Sequence, residues 1–477
     1  MEVFKKRSKI VATIGPASRN KQTLIELVKA GANVFRMNFS HGTHEDHLMV
    51  INMVKEVNDE LGTSVALLQD LQGPKIRVGQ VENGGVGIEP GEKLTITTQE
   101  MLGTNKKVST VYKGITNDLE PGSTVLIDDG NLELKVDKVE GDEVHSTVVH
   151  GGVLKSRKGI NLPDANVSAP SLTEKDIEDL EFGMEHEIEW VALSFVRRAA
   201  DIHDLRARLE AKGKRSKIVA KMEKPEAIAN MDEIIEATDA IMVARGDLGV
   251  EIPMERVPLE QKRMVKKCNR LGKPVIIATQ MMESMIENPR PTRAETNDVA
   301  NAVMDGADAL MLSAESASGK FPVHAVRSMS KTIAEVEKSM NSIYHKYFEK
   351  EGESSTTRLN DLLIRGACRL SESVQAKALV GLTKTGYSGF KIAMHRPKAD
   401  IFLFTSDEML YRQASLIWGV KSFYYNEQRS IHDTLTSIEK VLVDGGYLEK
   451  GDVFITTAAM PTHWQGHTNM VKIHEVE

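Results

Sequence analysis

The sequence has only two cysteines and no long hydrophobic run. Cys268 and Cys368 are too few and too far apart to form a disulfide framework or a zinc cluster. No apolar run approaches the ~20 residues that a membrane-spanning helix needs. Gly15-Pro16 also interrupts the apolar N-terminal stretch too early for a signal peptide. These absences predict a cytoplasmic protein without a membrane partner.

The chain also lacks an excess of positive charge. Lys and Arg total 61 and Asp and Glu total 68, which gives a formal net charge of −7. Because nucleic acids and anionic membranes are bound mostly through clustered positive charge, we expect neither as a partner. The length of 477 residues suggests roughly three domains, at about 150 residues per domain.

Short apolar runs alternate with helical patterns along most of the chain. Eight of these runs are nearly continuous in their apolar character, which is typical of parallel strands buried on both faces. We therefore expect an α/β fold, a (β/α)₈ TIM barrel formed by residues 1–72 and 170–340. Periodicity alone leaves a doubly wound sheet open as the alternative. The eight runs are KIVATIG, NVFRMNFS, SVALLQD, EWVALSFV, KIVAKME, AIMVARG, PVIIATQ and ALMLSAE.

The barrel pattern is interrupted after its third strand. Between residues 73 and 169 the periodicity falls to near two, with Gly-rich turns and few helix signals, which predicts an inserted all-β domain. An insertion at the carboxyl end of a barrel strand lies above the mouth, where it is either a lid or a passive decoration. Residues 341–477 begin with a polar linker, HKYFEKEGESSTTR, and continue as a separate C-terminal α/β domain.

Polar side chains stand at the carboxyl ends of seven of the eight predicted strands. In a barrel these ends face the substrate, whereas a buried strand is normally apolar there. One polar strand end is usually a satisfied cap, but seven around one mouth indicate a binding or catalytic site. The ring comprises Arg36, Asn38, Ser40, Asp70, Ser194, Lys221, Glu223, Asp247, Thr279, Ser313 and Glu315.

Three residues in this ring point to a metal. Lys221 and Glu223 are two apart on a strand and share one face, so the lysine either pairs with the glutamate or serves a ligand. With Asp247 one strand further on, two carboxylates complemented by water or substrate oxygens make the usual Mg²⁺ site of phosphoryl-transfer enzymes. Residues Gly246–Gly249 are predicted to form a turn ahead of a helix starting near Pro253, with free backbone N–H groups for a carboxylate or phosphate.

Basic residues come from the barrel and from both ends of the insertion. In a chain of negative net charge, such a group suits a polyanionic small ligand held between barrel and lid. Solvated surface charge is the alternative interpretation. The group comprises Arg36, His41, Arg77, Arg157, Lys158 and Lys221.

Motifs along essentially the whole chain resemble, in order, those of the pyruvate kinase family. The resemblance implies a barrel domain, a mobile β lid and a C-terminal domain, usually assembled as a homotetramer. It also implies transfer of the phosphoryl group of phosphoenolpyruvate to MgADP, which gives ATP and pyruvate in the last step of glycolysis. The motifs include ATIGPAS, FRMNFSHG, KGINLP, VALSFVR, IVAKME, IMVARGDLGVE, PVIIATQMMESM, PTRAETNDVANAV and MLSAES.

The resemblance implies roles for individual residues. Glu223 and Asp247 look like the ligands of Mg²⁺ or Mn²⁺, and Lys221 and Arg36 would hold the transferring phosphoryl group. Thr279 would take part in the proton relay to the enolate. The substrate carboxylate contacts of the family correspond to Gly246, Asp247 and Thr279. Its nucleotide-phosphate contacts correspond to Asn38, His41, Arg77 and Lys158.

One segment departs from the family pattern. Many members read LDTKGPEIR where this chain reads LQDLQGPKIR, and they hold K⁺ with Asn, Ser, Asp and Thr side chains. Asn38, Ser40 and Asp70 remain here, but Leu71 replaces the Thr and Lys75 replaces the Glu. Leu71 offers no side-chain oxygen, and the ammonium of Lys75 can supply the missing positive charge. The pattern resembles K⁺-independent members, so we expect no K⁺ requirement.

A turn in the C-terminal domain resembles the loop that cradles an effector sugar phosphate in many members. Its backbone and hydroxyls suit a phosphate, but Tyr387 stands where Arg is common, and the later loop PTHWQGHTN also departs from family versions. Either a phosphorylated effector binds here or the turn is inherited without a ligand. The candidate residues are Thr383, Lys384, Thr385, Gly386 and Ser388.

Two other functions stay open from the residues alone. A Mg²⁺-dependent barrel lyase or aldolase acting on an oxo-acid enolate would use the same Lys221, Glu223 and Asp247, but it has no use for a nucleotide-phosphate site. A non-catalytic sugar-phosphate sensor would have lost a catalytic residue, and none of those implied by the resemblance is missing.

Overall fold

The chain begins with three parallel strands that are buried along nearly their whole length. The computed structural model describes residues 6–165, 167–346, 355–426, 430–460 and 468–477. Helix α1 starts at an Asn20 cap and ends at Gly31, whose φ of 115° is a left-handed conformation that favours glycine. The first elements are β1 (Lys9–Ile14), α1 (Lys21–Ala30), β2 (Val34–Asn38), α2 (His44–Leu61) and β3 (Ala66–Asp70).

The inserted segment is almost entirely β-structure, with its own apolar core. It forms one two-stranded sheet and one six-stranded sheet. Alternating buried and exposed residues along its strands leave one face on the core and the other in solvent. Its elements are β4 (Gly85–Ile88), β5 (Lys93–Thr97), β6 (Lys107–Ser109), α3 (Ile115–Asp118), β7 (Thr124–Ile127), β8 (Leu132–Glu140), β9 (Glu143–His150), β10 (Gly152–Lys155) and β11 (Ile160–Asn161).

Five further strands and their helices complete the barrel. Its helices include α4 (Glu174–Glu185), α5 (Ala199–Ala211), α6 (Pro225–Ala229), α7 (Met231–Ala237), α8 (Arg245–Glu251), α9 (Val257–Leu271), α10 (Arg293–Asp305), α11 (Ala314–Ala317) and α12 (Pro322–Ser339). Its strands are β12 (Trp190–Leu193), β13 (Lys217–Met222), β14 (Ala240–Ala244), β15 (Val275–Ala278) and β16 (Ala309–Leu312). All pairings are parallel, and the closed order is β1-β16-β15-β14-β13-β12-β3-β2.

The eight predicted runs are the eight barrel strands, so the barrel is confirmed and the doubly wound alternative is wrong. The turn predicted at Gly246–Gly249 is also wrong. These residues belong to α8, which begins directly after β14. The helix predicted to start near Pro253 is confirmed, because Pro253 caps a 3₁₀ turn, Met254–Arg256, that leads directly into α9. Two glycines normally weaken a helix, but the tertiary position of the short helix α8 overrides that preference.

The C-terminal domain is a five-stranded sheet of order β19-β18-β17-β20-β21, in which only the last strand is antiparallel. Helix α13 begins inside the predicted linker, and linker residues 347–354 lie outside the described residues, as do positions 461–467 of the PTHWQGHTN loop. The elements are α13 (Ser355–Ser373), β17 (Ala378–Leu382), α14 (Tyr387–Met394), β18 (Asp400–Thr405), α15 (Glu408–Gln413), β19 (Val420–Tyr424), α16 (Ile431–Asp444), β20 (Val453–Ala458) and β21 (Met470–Glu475). None of the helices in the described ranges has the length and apolar character that crossing a membrane requires.

Candidate active site

The first part of the site is a buried arginine on β2. Nε of Arg36 lies 2.6 Å from Oδ2 of Asp70 at the end of β3, and its Nη1 donates to Oγ1 of Thr13 at 3.0 Å. Arg36 and Thr13 are register partners on neighbouring strands. The strand-end argument did not include Thr13, although its polar side chain stands out in the apolar run KIVATIG.

Lys221 on β13 occupies the centre of the site. Its Nζ donates to Oγ of Ser194 at 2.8 Å and lies 2.8 Å from Oε1 of Glu223 and 3.3 Å from Oδ1 of Asp70. Burial acts to lower the pKa of Lys221, but Asp70, Glu223 and Asp247 outweigh it and raise that pKa above its ordinary value. The lysine is therefore a permanent cation at neutral pH.

The two buried carboxylates respond to this cation differently. Burial opposes the ionisation of Asp70, but Lys221 and Arg36 outweigh the burial and lower the pKa of Asp70. The pKa of Glu223 is raised, because burial and the charge of Asp247 exceed the help from Lys221. Oε2 of Glu223 also accepts the backbone N–H of Phe195 at 3.0 Å.

Carboxyl groups outnumber basic groups around Lys221. Two basic side chains, Arg36 and Lys221, face three carboxyl groups, those of Asp70, Glu223 and Asp247. In the described part of the chain, no group of three or more His, Cys, Asp or Glu side chains is arranged to hold a metal by itself. The hard oxygens of these carboxyl groups fit a Mg²⁺ ion that completes its shell with water or substrate oxygens.

Asp247 lies in the first turn of α8, beside a strained segment after β15. Thr279 and Gln280 have φ values of 64° and 54°, a region that non-glycine residues rarely adopt. Oγ1 of Thr279 accepts the backbone N–H of Gly246 at 2.8 Å, so this N–H group, predicted to be free, already has a partner. Sequence reasoning also missed Arg245, whose Nη2 donates to the carbonyl of Thr279 at 2.7 Å and holds the segment in place.

Not every polar strand end belongs to this network. Both carboxylate oxygens of Glu315 accept backbone N–H groups, from Met282 at 3.2 Å and from Ser313 at 2.7 Å. Such contacts stabilise the loops that follow β15 and β16. Glu315 is therefore a satisfied cap in this structure.

The basic residues of the insertion contact other residues of the insertion. Nη1 of Arg77 donates to the carbonyl of Arg157 at 3.0 Å, and Nζ of Lys158 pairs with Asp128 at 2.7 Å. His41 is exposed on the barrel side. The predicted basic group therefore divides into a barrel part at Arg36 and Lys221 and a part within the insertion that has separate partners.

A cavity lies where the inserted domain meets the barrel. It adjoins the candidate metal ligand Asp247, and both domains contribute to its wall. Gly73, with φ of 70°, precedes the inserted domain, and a Cβ there would lie 2.7 Å from the ring of Phe195. The lining residues are Pro74, Lys75, Ile76, Ile160, Asn161, Leu162, Val167, Phe195, Arg197, Lys224, Asp247 and Glu251.

The positions that correspond to a K⁺ site hold other contacts. Leu71 is 1% exposed and packs in the barrel core. Oδ1 of Asn38 accepts the backbone N–H of Ser40 at 3.2 Å, and Asp70 is engaged by two cations. Lys75 lines the cavity between lid and barrel.

The turn at 383–386 leads into α14 through Gly386, whose φ is 82°. Oγ1 of Thr383 accepts the backbone N–H of Gly386 at 3.0 Å, and Tyr387 donates its hydroxyl to Asp361 at 2.5 Å. Lys384 and Thr385 are exposed. The remaining candidate of this turn is Ser388, which is buried.

The closed eight-strand parallel barrel with charged side chains at its mouth places this chain among the (β/α)₈-barrel proteins. Residues 5–326 match the family described as pyruvate kinase, barrel domain, and residues 361–474 match pyruvate kinase, alpha/beta domain. The chain belongs to the pyruvate kinase family and is a phosphotransferase, as its motifs predicted.

Curated relatives named pyruvate kinase align with almost the whole chain. The protein of Geobacillus stearothermophilus is 43% identical over 99% of this chain and 81% of its own length. That of Clostridium acetobutylicum is 42% identical over 99% and 100%. A crystal structure of a pyruvate kinase from Cryptosporidium parvum superposes with a TM-score of 0.92 at 34% identity, covering 99% of this chain and 96% of that one.

Proposed function

We propose that this protein transfers the phosphoryl group of phosphoenolpyruvate to ADP and releases ATP and pyruvate. The observation that carries the proposal is the position of Lys221, whose Nζ lies within 3.3 Å of Asp70, Glu223 and Ser194 at the mouth of a pyruvate kinase-family barrel. A buried, permanently charged lysine at this point suits a reaction that moves a phosphoryl group.

Lys221 and Arg36 are proposed to hold the transferring phosphoryl group. The transition state of phosphoryl transfer is loose and spreads negative charge over its oxygens, so positioned cations stabilise it without covalent chemistry. Asp70 contacts both cations and keeps them oriented before the substrate enters. Thr13 supports the same orientation through Arg36.

Glu223 and Asp247 are proposed as the ligands of Mg²⁺ or Mn²⁺. When bound, the ion would neutralise charge on the phosphate oxygens. Gly246, Asp247 and Thr279 are proposed to bind the carboxylate end of phosphoenolpyruvate. The hydroxyl of Thr279 is a poor acid, so its part in protonating the enolate would run through water.

The nucleotide is proposed to bind between the barrel and the lid. Asn38 and His41 would contact its phosphates from the barrel side, and Arg77 and Lys158 would do so from the lid. The division into residues 1–72, 73–169, 170–340 and 341–477 belongs to this proposal, with the second segment as a lid. The cavity at the lid–barrel boundary supports a ligand there.

We also propose that the activity does not require K⁺. Leu71 is buried in the core and cannot coordinate an ion, while Asp70 already contacts Arg36 and Lys221. Lys75 lines the cavity and brings a fixed positive charge where many relatives carry Glu. A phosphorylated effector at 383–388, a homotetramer and a cytoplasmic location stay predictions.

The test is a coupled assay of pyruvate formation from phosphoenolpyruvate. We expect activity that depends on both ADP and Mg²⁺, and Asp247→Asn should abolish most of it. Pyruvate formed equally well without ADP would contradict the phosphotransfer proposal, because the phosphoryl group would then be transferred to water. Adding fructose bisphosphate, AMP or ribose 5-phosphate to the same assay tests the effector, and no shift in the substrate saturation curve with any of them would favour a turn without a ligand.

A further inference from the structure

A buried carboxylate at the end of α8 joins three elements around the site. Oε1 of Glu251 lies 2.8 Å from Nζ of Lys224 and accepts the side-chain N–H of Asn161 at 2.8 Å. The side chains of Lys224 and Glu251 are 7% and 2% exposed. One oxygen atom therefore holds a barrel residue and a lid residue together.

Each partner is close in sequence to a residue of the proposed machinery. Lys224 directly follows Glu223, and Glu251 ends the helix whose first turn contains Asp247. Asn161 lies on β11 and comes three residues after Lys158. The cluster of Lys224, Glu251 and Asn161 thus links both candidate metal ligands to the base of the lid.

The chemistry of this cluster favours a firm but reversible contact. Lys224 and Glu251 neutralise each other, which lets both remain buried, and a charged acceptor strengthens the bond from Asn161. The other carboxylate oxygen of Glu251, Oε2, is buried without a hydrogen-bond partner among the described residues. Since Glu251 lines the cavity between the inserted domain and the barrel, this oxygen is an acceptor for a group that enters there.

We propose that Glu251 is a positioning residue that latches the lid to the barrel through Asn161 and aligns the elements carrying Glu223 and Asp247. Its catalytic consequence rests on the proposed function. The latch itself is a property of the folded chain and is measurable without substrate. Removing the hydrogen bond between Asn161 and Glu251 should loosen the lid. Removing the charge of Glu251 should also disturb the candidate metal ligands, because Lys224 then loses its partner.

The variant Asn161→Ala removes the hydrogen bond from the lid to Glu251 and leaves the ion pair of Glu251 with Lys224 in place. Because one hydrogen bond to an ionised group is lost, we expect amide hydrogen exchange at residues 157–162 to accelerate about tenfold. KM for ADP should rise by a similar factor of about ten, while kcat changes less than about twofold. The melting temperature should stay unchanged. Asn105→Ala, which removes an exposed lid asparagine, is the matched control and should alter none of these quantities.

The variant Glu251→Gln removes the charge that balances Lys224. The amide oxygen that replaces the carboxylate can still accept the N–H of Asn161, so we expect a smaller acceleration of exchange than in Asn161→Ala, together with a fall in kcat of about tenfold and a higher Mg²⁺ requirement. Glu255→Gln, at an exposed glutamate just beyond the helix, is the control. In the double variant, exchange should be no faster than in Asn161→Ala alone, because that change already removes the hydrogen bond.

The results separate the latch from the proposed function. Exchange in Asn161→Ala that matches Asn105→Ala overturns the latch, and that variant decides the question even if Glu251→Gln fails to fold. Exchange that accelerates uniformly across the chain with a lower melting temperature also overturns it, since that indicates general destabilisation. A wild-type protein that makes no pyruvate contradicts the proposed function but leaves the exchange measurement valid.

Discussion

The two ends of the barrel are closed in opposite ways. At the mouth, the lid meets the barrel through polar contacts such as Asn161 to Glu251, above a cluster of charges. At the other end, Leu416 of the C-terminal domain is fully buried in the same apolar cluster as Trp190 and Met242 of the barrel interior. One end is therefore closed by apolar packing against a second domain, and the other is closed by polar side chains that meet at the boundary with the inserted domain.

A buried arginine reinforces the end that packs against the C-terminal domain. Arg396 is 2% exposed, and its guanidinium donates to Asp308 at 3.0 Å, to the carbonyl of Gly306 at 2.9 Å and to Asn269 at 2.9 Å. It also lies 4.6 Å from the ring centroid of Trp418. Apolar burial and paired buried charges are costly to separate. Contacts at the barrel end that lacks the candidate catalytic groups are therefore expected to contribute more to the stability of the fold.

Replacing a lysine at each end of β13 gives the largest expected contrast. Lys221→Met removes the cation proposed to stabilise the transferring phosphoryl group, so we expect kcat to fall about 10³-fold. Lys217→Met, at the opposite end of the same strand, should leave kcat near the wild-type value. Steady-state kinetics at saturating Mg²⁺ measure both. Equal losses in the two variants would remove the functional distinction between the ends.

Arg396→Ala tests the end that packs against the C-terminal domain. It leaves Asp308 buried without its cation, so we expect a loss of about 3 kcal/mol in the free energy of unfolding. Denaturant unfolding measures the loss, and Lys398→Ala, at a neighbouring exposed lysine, should change it little. An unfolding curve identical to that of the wild type would show that the interface does not depend on this arginine.

Leu416→Ala removes the apolar side chain that packs into the barrel at the same end. The cavity left among the barrel side chains should cost about 2–3 kcal/mol of stability, with kcat at 25 °C close to that of the wild type. Thermal unfolding and the pyruvate assay give the two readouts. If kcat falls together with the melting temperature, packing at this end also affects the catalytic geometry. The two ends of the barrel would then not separate stability from catalysis.

The smallest expected effect on activity comes from changing the monovalent cation in the assay. The wild-type activity should be the same in tetramethylammonium, Na⁺ and K⁺ salts, because Lys75 supplies a fixed charge beside the cavity. Lys75→Glu removes that charge and should create a dependence on K⁺. The assay compares the salts at equal ionic strength. Strong activation of the wild-type protein by K⁺ would contradict the prediction.

Several features were predictable because they depend on local sequence. The eight barrel strands follow from short apolar runs between helices, since a parallel strand buried on both faces must be apolar throughout. Lys221, Glu223 and Asp70 followed from the rule that strand carboxyl ends face the barrel mouth. The charged network joining these three residues agrees with that rule.

Other features required the tertiary structure. Thr13 and Arg245 support Arg36 and Thr279, but each is an ordinary polar residue until its partner is placed beside it. The helical start of α8 could not be read from Gly246-Asp247-Leu248-Gly249, because glycines usually favour a turn there.

Sequence by itself determined the barrel, its interruption after the third strand and several of the polar residues at the strand ends, because strand periodicity and strand direction are local properties. Only the tertiary structure decided which groups meet across the domains. Asn161 and Glu251 are 90 residues apart in the chain and share one hydrogen bond. Leu416 enters the barrel from a separate domain. Such contacts depend on the packing of whole elements, which no local pattern encodes.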